Sequence, residues 1–258
     1  MTSVPASWRW ASLPRDVLLV EGADARWFLH SQLAQDIEAL PAGGSAWSLL
    51  LSPDGKVDAL VRVVCRSGET FTLDVEQGFG ARVVTRLSRF VLRAKVSITP
   101  VQWEVRGYLT GDEEVPSSFC PVGLASCDWG GPGRIDVVAD AAELPSGGTR
   151  VDASVVDAAR VDRGWPSMGT DIREGDVPAG TGVLSHAVSF TKGCYPGQEL
   201  VERMDSRGAS APVRLVLVDR GTSIEGAEIT SCGTTRCIAR VRRGVDAGSP
   251  LDSVSPAR

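Results

Sequence analysis

The sequence has few histidines, no long apolar run and no excess of basic residues. Only His30 and His186 occur among the 258 residues, which excludes a histidine-rich metal centre. No apolar segment reaches the roughly 20 residues of a membrane helix, and the N-terminal residues lack a signal core. We therefore predict a cytoplasmic protein that does not bind a membrane. A net charge of −5 argues against direct binding to nucleic acid, which favours a basic surface.

Six cysteines are present, but no two of them have the CxxC spacing of a tight zinc site. The nearest spacings, Cys120/Cys127 and Cys232/Cys237, have no histidine beside them. Because the chain shows no export signal, we expect all six cysteines to be free thiols. Cys65 and Cys237 lie in apolar runs that resemble strands, which favours a packing role for both.

The first hundred residues alternate strand patterns with two amphipathic helical patterns. VLLV at 17–20 predicts a strand, and the apolar spacing over 24–39 predicts a helix. Residues 46–66 predict a hairpin, whose turn is Pro53-Asp54-Gly55. A strand at 70–75 and a helix within 78–91 follow. This order indicates an α+β unit with helices packed on antiparallel strands.

The rest of the chain divides into two further parts. A second strand and helix unit has its strand at 134–140 and its helix at 153–164, after a loop at 111–133. From residue 213 onward, short strands with glycine turns indicate a small β-barrel-like module. We predict an N-terminal α+β lobe at 1–100, a second α+β lobe at 101–208, a C-terminal β-barrel-like module at 209–258, and a disordered tail at 252–258.

The segment TKGCYPGQELVERM, residues 191–204, places one cysteine on a glycine-rich loop before a predicted helix. The positive end of that helix and the charge of Lys192 both favour the thiolate form of Cys194. Gly193 and Gly197 let the backbone approach a ligand closely. We interpret Cys194 as the functional thiol and Lys192 as its catalytic partner, with simple packing of Cys194 as the alternative.

KGCYPGQE resembles the K-G-C-[FY]-x-G-Q-E signature of the YgfZ family of folate-binding proteins, which is related to the T-protein of glycine cleavage, a tetrahydrofolate-dependent aminomethyltransferase. VEGADARWFLHSQLAQDI, LLLSPDGKV, RVDRGWPSMGTDI and GAEITSC are similar to other family segments, so the resemblance covers most of the chain. It implies a three-lobed α+β, aminomethyltransferase-like fold around a central hole that holds folate. It also implies a role in making or repairing iron–sulfur proteins, including those that modify tRNA.

The resemblance suggests folate contacts but also shows two departures. The T-protein has a consecutive acidic pair after its hairpin turn, whereas here Asp58 is followed by Ala59. The T-protein glutamate that binds the pterin ring is replaced by Gly180. The residues predicted to bind folate are Trp165, Asp171, Tyr195, Gln198, Glu199 and Asp58.

Several of these residues have ordinary structural alternatives. The ring of Trp165 could stack on a pterin or simply anchor the core. Asp171 could bind the ligand or cap a turn. Arg160 and Arg163 could meet the glutamate tail of folate, although arginines with this spacing are more often solvated.

Three functions are compatible with the sequence. The first is a tetrahydrofolate-binding accessory protein for iron–sulfur cluster assembly or repair, whose partners are client enzymes or assembly factors. A cluster normally needs about four ligands, so Cys194 could bind one only transiently and no stable metal site is expected. The second is a folate-dependent aminomethyltransferase of one-carbon metabolism. The third is a binding module that has kept the fold and lost its ligand; the first and third require no catalysis.

Overall fold

The computed structural model describes residues 3–111, 133–207, 211–245 and 247–251. Within these ranges the chain forms one five-stranded and two four-stranded sheets, with helices packed on them. None of the helices in these ranges combines the length and the apolar character that crossing a membrane would require. Most of the predicted loop, with Cys120 and Cys127, and the predicted C-terminal tail lie outside the described residues.

The elements are numbered in chain order. The first half contains β1 (Ser3–Leu13), β2 (Arg15–Glu21), α1 (Ala25–Gln32), β3 (Ser45–Leu51), β4 (Val57–Cys65), β5 (Thr70–Glu76), α2 (Gly80–Ser88), β6 (Ser97–Val101) and β7 (Glu104–Leu109). The second half contains β8 (Arg134–Ala139), β9 (Ser146–Arg150), α3 (Ala153–Asp162), α4 (Leu184–Ala187), α5 (Gln198–Arg207), β10 (Val213–Asp219), β11 (Ala227–Cys232), β12 (Arg236–Arg242) and β13 (Ser249–Pro250).

The first sheet has the strand order β3-β4-β5-β2-β6, and all of its pairs are antiparallel. Every residue of β4 is buried, because one apolar cluster covers each face of the sheet at this point. The predicted hairpin is confirmed, and Gly55 takes a φ of 81° at its turn. A residue with a side chain adopts that backbone conformation only with strain, so glycine suits the turn.

Helix α1 is shorter than the predicted helix over 24–39, because it ends at Gln32. Leu33 is extended and forms a bridge to Leu50 of β3. Leu33 and Ile37 are nevertheless fully buried. Their apolar spacing therefore reflects burial of an irregular segment, which follows the sheet surface instead of continuing the helix.

The second sheet has the order β8-β7-β1-β9 and depends on distant pairing. Strand β1 is antiparallel to β7 and parallel to β9, so residues 3–13 pair with one strand about 100 residues later and with another about 140 residues later. Neither β1 nor β9 was predicted. Strand β9, whose sequence is SGGTR, has no apolar alternation that would mark it as a strand. Helix α3 lies close to this sheet, and the Asp152 carboxylate accepts a hydrogen bond from the Ser154 backbone N–H.

The C-terminal segment, for which a β-barrel-like module was predicted, forms a four-stranded third sheet in the described residues, with the order β11-β12-β10-β13. Cys232 and Cys237 form a disulfide across the β11–β12 hairpin, so the expectation of six free thiols is wrong for this pair. The antiparallel register places the two residues directly opposite each other, with their Cα atoms 4.1 Å apart. Among the described cysteines, Cys65 is buried and free, and Cys194 is exposed and free.

Buried charges join the first sheet to the second. Arg62 of β4 donates from Nε to Asp74 Oδ2 at 2.7 Å and from Nη1 to Asp136 Oδ2 at 2.9 Å. Arg15 also pairs with Asp74, and Arg134 donates to Asp136. Burial alone would raise the pKa of Asp136, but Arg134 and Arg62 hold that pKa below its ordinary value. The carboxylate therefore stays ionised in the interior.

Candidate functional site

A cavity of about 530 Å³ lies where the first sheet, the second sheet and α3 meet. The family resemblance predicted a central hole that holds folate, and this cavity is the candidate for it. Its apolar wall includes Leu13, Trp47, Phe79, Val156, Trp165 and Met168. Its charged wall includes Arg15, Glu76, Arg134, Asp136, Asp157 and Arg160. A flat, partly polar ligand would find both aromatic faces and hydrogen-bonding groups in this cavity.

Two tryptophan rings dominate the aromatic side of the cavity. The ring centroids of Trp47 and Trp165 are 5.2 Å apart, with a 47° angle between their planes. The ring of His186 meets Trp165 edge-on at 5.5 Å. Trp165 belongs to the main apolar cluster and also lines the cavity. It therefore serves the core and is available to a ligand at the same time.

Two buried polar atoms of the cavity wall have no hydrogen-bond partner among the described residues. They are Nε1 of Trp47 and Oε2 of Glu76. The other carboxylate oxygen of Glu76 pairs with Arg15 Nη1 at 3.2 Å. Buried polar atoms are nearly always paired, so these two are candidates for ligand contacts. Glu76 was not predicted as a site residue, although its place as the last residue of β5 is a signal for a side chain at the end of a sheet.

Asp171 lies behind the cavity and is fully buried. Its Oδ2 accepts hydrogen bonds from Arg160 Nη1 at 3.0 Å and from the Ser167 backbone N–H at 2.9 Å. Its Oδ1 accepts from the hydroxyls of Thr230 and Ser231. Both oxygens are thus engaged within the protein. The carboxylate ties α3 and the chain after it to strand β11.

Arg160 is buried and lines the cavity, so the expectation of a solvated side chain is wrong for this residue. Burial alone would lower the pKa of its guanidinium, but Asp171 and Asp157 outweigh that effect and raise it. Paired carboxylates therefore keep a positive charge at the cavity wall.

Gly180 closes a one-turn helix, Pro178–Gly180, at a place with no room for a side chain. A Cβ atom added there would lie 2.1 Å from the backbone oxygen of Val213. A carboxylate therefore cannot stand at this position, and Glu76 is a lining residue with a buried carboxylate oxygen that has no partner among the described residues.

The cysteine loop lies at a different place from the cavity. Cys194 is exposed and lines a surface pocket of about 470 Å³ together with Tyr195, Gln198 and Glu199. The predicted helix after the loop is confirmed as α5, which begins at Gln198. The side-chain oxygen of Gln198 accepts a hydrogen bond from the Tyr195 backbone N–H at 2.8 Å. Of the residues predicted to bind folate, these three therefore accompany the thiol, while Trp165 lines the cavity.

Asp58 occupies a third location. Its carboxylate pairs with Arg82 Nη2 at 3.2 Å and lies 3.4 Å from Arg86 Nε. It lines neither the cavity nor the pocket at Cys194. The structure thus divides the predicted site residues among three places.

Two glycines bring the hairpin turn and the cysteine loop into backbone contact. Gly197 has a φ of 83°, and a Cβ atom there would lie 2.6 Å from the Ser52 backbone oxygen. A Cβ atom on Gly55 would lie 2.5 Å from the Cβ of Leu200. The close approach allowed by Gly197 is therefore to the hairpin. A Cβ atom on Gly193 would meet no atom within 4 Å, so its environment is open.

Lys192 holds the loop to the end of α1. Its Nζ donates to the backbone oxygens of His30, Leu33 and Gln35. It also lies 5.1 Å from the ring centroid of Tyr195. Burial lowers the pKa of Lys192 from 10.5 to about 8, although Asp36 and Glu38 act to raise it. These contacts give Lys192 a structural role, and its catalytic role stays a prediction.

Comparison with known proteins finds relatives of low sequence identity. No protein-family model matches the chain. An uncharacterized protein of Haemophilus influenzae is 28% identical over 214 residues, which cover 82% of this chain and 73% of that protein. The tRNA-modifying protein YgfZ of Edwardsiella ictaluri is 26% identical, over 74% of this chain and 65% of its own length. The mitochondrial iron-sulfur cluster assembly factor IBA57 homolog of Cryptococcus neoformans is 24% identical, over 90% and 72%.

The fold is similar to that of a solved structure, the glycine cleavage system aminomethyltransferase T from Bartonella henselae. The TM-score is 0.72 at 17% sequence identity, over 92% of this chain and 79% of that one. These similarities support the predicted resemblance to a YgfZ-like, T-protein-related family. The predicted α+β, aminomethyltransferase-like fold is confirmed. In this chain the hairpin LLLSPDGKV and the loop KGCYPGQE, which both resemble family motifs, are also neighbours in space.

Replacing Gly197 should lower the free energy of unfolding, whereas replacing Gly193 on the same loop should not. Gly197→Ala adds a Cβ atom against Ser52 at a positive φ, so we expect a loss of about 1–3 kcal/mol in the free energy of unfolding. Gly193→Ala is the matched control and should change that free energy by less than about 0.5 kcal/mol. Urea unfolding measures both values. Equal losses in the two variants would contradict the packing described here.

The half-buried side chain of Lys192 should give the free energy of unfolding a specific pH dependence. Its folded pKa is about 8 against an ordinary 10.5, so the unfolded chain binds more protons between these values. The contribution of Lys192 to the free energy of unfolding should therefore rise with pH in this window. Urea unfolding of the wild type and of Lys192→Met at pH 7.5 and 9.5 tests this. We expect the wild type's advantage to grow at the higher pH; an advantage that shrinks would refute the assignment.

Proposed function

We propose that this YgfZ-like chain is a tetrahydrofolate-binding accessory protein in iron–sulfur cluster assembly or repair, with Cys194 as its functional thiol. The observation that carries the proposal is a cavity with aromatic walls and unpaired polar atoms, accompanied by a separate exposed thiol on the family signature. The relatives named as a tRNA-modifying protein and as an iron-sulfur cluster assembly factor support the role. The link to tRNA would be indirect, through iron–sulfur enzymes that modify it.

The chemistry of the cavity fits a folate. A pterin ring is flat, and its pyrimidine edge carries N–H donors together with acceptor atoms. Trp165 offers a ring face for stacking, and Glu76 Oε2 offers a carboxylate acceptor. The indole N–H of Trp47 can donate to an acceptor of the same ligand. Glu76 would thus provide the carboxylate that cannot stand at Gly180, and tetrahydrofolate, when bound, would supply a carrier for one-carbon groups.

Cys194 could serve as one ligand of an iron–sulfur cluster that is bound transiently and passed to another protein. The thiol is exposed on the loop that precedes α5, so a partner protein can reach it. In the part of the chain that the structure describes, no group of three or more His, Cys, Asp or Glu side chains is arranged to hold a metal ion. A cluster needs about four ligands, so the remaining ones would come from a client enzyme, an assembly factor or a small thiol.

The fold similarity also makes a folate-dependent aminomethyltransferase the second candidate. The position of Asp58 weighs against it, because this carboxylate pairs with Arg82 and Arg86 away from the cavity. A ligand-free binding module would leave the buried polar atoms of Trp47 and Glu76 without a purpose. The proposal keeps the three lobes at 1–100, 101–208 and 209–258. It also keeps a cytoplasmic location, although the fungal relative is named as mitochondrial.

Binding of 5-formyltetrahydrofolate should depend on Glu76. We expect micromolar binding by the wild type in isothermal titration calorimetry, and a loss of about tenfold or more for Glu76→Gln, because a charged hydrogen bond is replaced by a neutral one. Glu21→Gln is the matched control, since Glu21 is exposed at the end of β2 and does not line the cavity. Undetectable binding by the wild type, or equal affinity for both variants, would reject the proposed site.

Cys194 should be required in the cell but not for folate binding. In a strain that lacks the native gene, we expect Cys194→Ala to leave iron–sulfur enzyme activity near the level of the empty strain. Thr191→Ala, an exposed neighbour on the same loop, is the control and should restore activity. The purified Cys194→Ala protein should bind 5-formyltetrahydrofolate like the wild type, because the thiol lies outside the cavity. Full rescue by Cys194→Ala would remove the thiol from the proposal.

A further inference from the structure

A third pocket, of about 460 Å³, lies apart from both the cavity and the cysteine pocket. One wall is α2 and the residue after it, which contribute Arg82, Arg86 and Arg89. These positions are three or four residues apart, so their side chains lie on one face of the helix. Ser52 and Pro53 of the hairpin turn form another wall. We call this the arginine pocket.

The arginine pocket is positively charged in a chain whose net charge is −5. Asp58 is the carboxylate that lines it beside the three arginines. Glu174 pairs with Arg82 from outside the lining, at 2.5 Å between Nη2 and Oε1. Within the described ranges Arg89 makes no ion pair. Two carboxylates therefore face three guanidinium groups, and at least one positive charge is not neutralised.

The guanidinium of Arg86 also has hydrogen-bond donors that lack an acceptor. Its side chain is buried, with 6% of the residue exposed, and its Nη2 donates to the Leu51 backbone oxygen at 3.0 Å. Among the described residues, Nη1 of Arg86 and Nε of Arg82 have no hydrogen-bond partner, and Nε of Arg86 has only the long 3.4 Å contact with Asp58 Oδ2. Burial lowers the pKa of Arg86, and Arg89 lowers it further although Asp58 raises it. A buried guanidinium with unfilled donors is costly unless an acceptor completes its hydrogen bonds.

We propose that the arginine pocket is a binding site for an oxyanion, the carboxylate or phosphate group of a ligand. A guanidinium presents several N–H donors in one plane, which matches the oxygen geometry of both groups. Such a group would add the acceptors that Arg82 and Arg86 lack, and would offset the charge of Arg89. The donor set and the charge surplus support the same class of ligand independently.

The surroundings indicate how the anion would be presented. The Arg86 guanidinium lies 4.7 Å from the ring centroid of Phe90, which is 44% exposed, and Leu92 nearby in sequence is 91% exposed. Apolar side chains beside a charged pocket are typical of surfaces that bind protein segments. Pro53 lines both this pocket and the pocket at Cys194, so an occupant would lie next to the thiol site.

Calorimetric titrations with sodium pyrophosphate and with a tetraglutamate peptide, at constant ionic strength, test the site. We expect saturable binding of at least one probe by the wild type. Arg89→Gln should weaken it about fivefold or more, since one charge-assisted contact is lost. Arg89 is exposed, so this variant should fold normally. Arg93→Gln is the matched control, because Arg93 is also exposed and does not line the pocket.

The outcomes separate the sources of the anion. Tighter binding of the peptide supports an acidic protein segment, and tighter binding of pyrophosphate supports a free phosphate-bearing ligand. Absence of saturable binding for both probes would overturn the proposal. Equal weakening by Arg89→Gln and Arg93→Gln would also overturn it, because that result indicates general attraction to positive charge. Folate binding is measured on a separate cavity, so its outcome does not affect this test.

Discussion

The cavity depends on one buried set of ion pairs between two sheets. Arg62 joins Asp74 of its own sheet to Asp136 of the second sheet, while both carboxylates also bind a further arginine. Charges in the interior are tolerated only when they are paired, and removing one partner typically costs about 3–5 kcal/mol. The two sheets are therefore held in one relative position. Arg134 and Asp136, which belong to this set, are also walls of the cavity.

The cavity and the thiol are distinct sites that share one core. Trp165 of the cavity and Tyr195 of the cysteine loop belong to the same buried apolar cluster. The loop is fixed at one end by Lys192, which binds the backbone at the end of α1, and at the other by Gly197, which lies against the hairpin turn. This arrangement gives the family signature a physical meaning. Most of its residues place one thiol on the surface, and none of them lines the cavity.

Local patterns predicted much of this fold, and distant contacts account for what they missed. Turn chemistry and periodicity were sufficient for the hairpin and for α2, α3 and α5. They could not predict β1, whose partner strands lie about 100 and about 140 residues away, or the disulfide between Cys232 and Cys237, which depends on strand register. The site was predicted in part. Cys194 and Trp165 were predicted as site residues from their sequence neighbours, whereas Glu76 stands out only because it lines the same cavity as the tryptophans.

The central claim is that folate would bind in the cavity and leave Cys194 free. A crystal structure of the chain with 5-formyltetrahydrofolate tests it most directly. The account predicts a pterin ring stacked on Trp165, within hydrogen-bond distance of Glu76, and no ligand contact at the cysteine loop. A ligand seated in the pocket at Cys194, or a pterin that does not contact Glu76, would contradict the account.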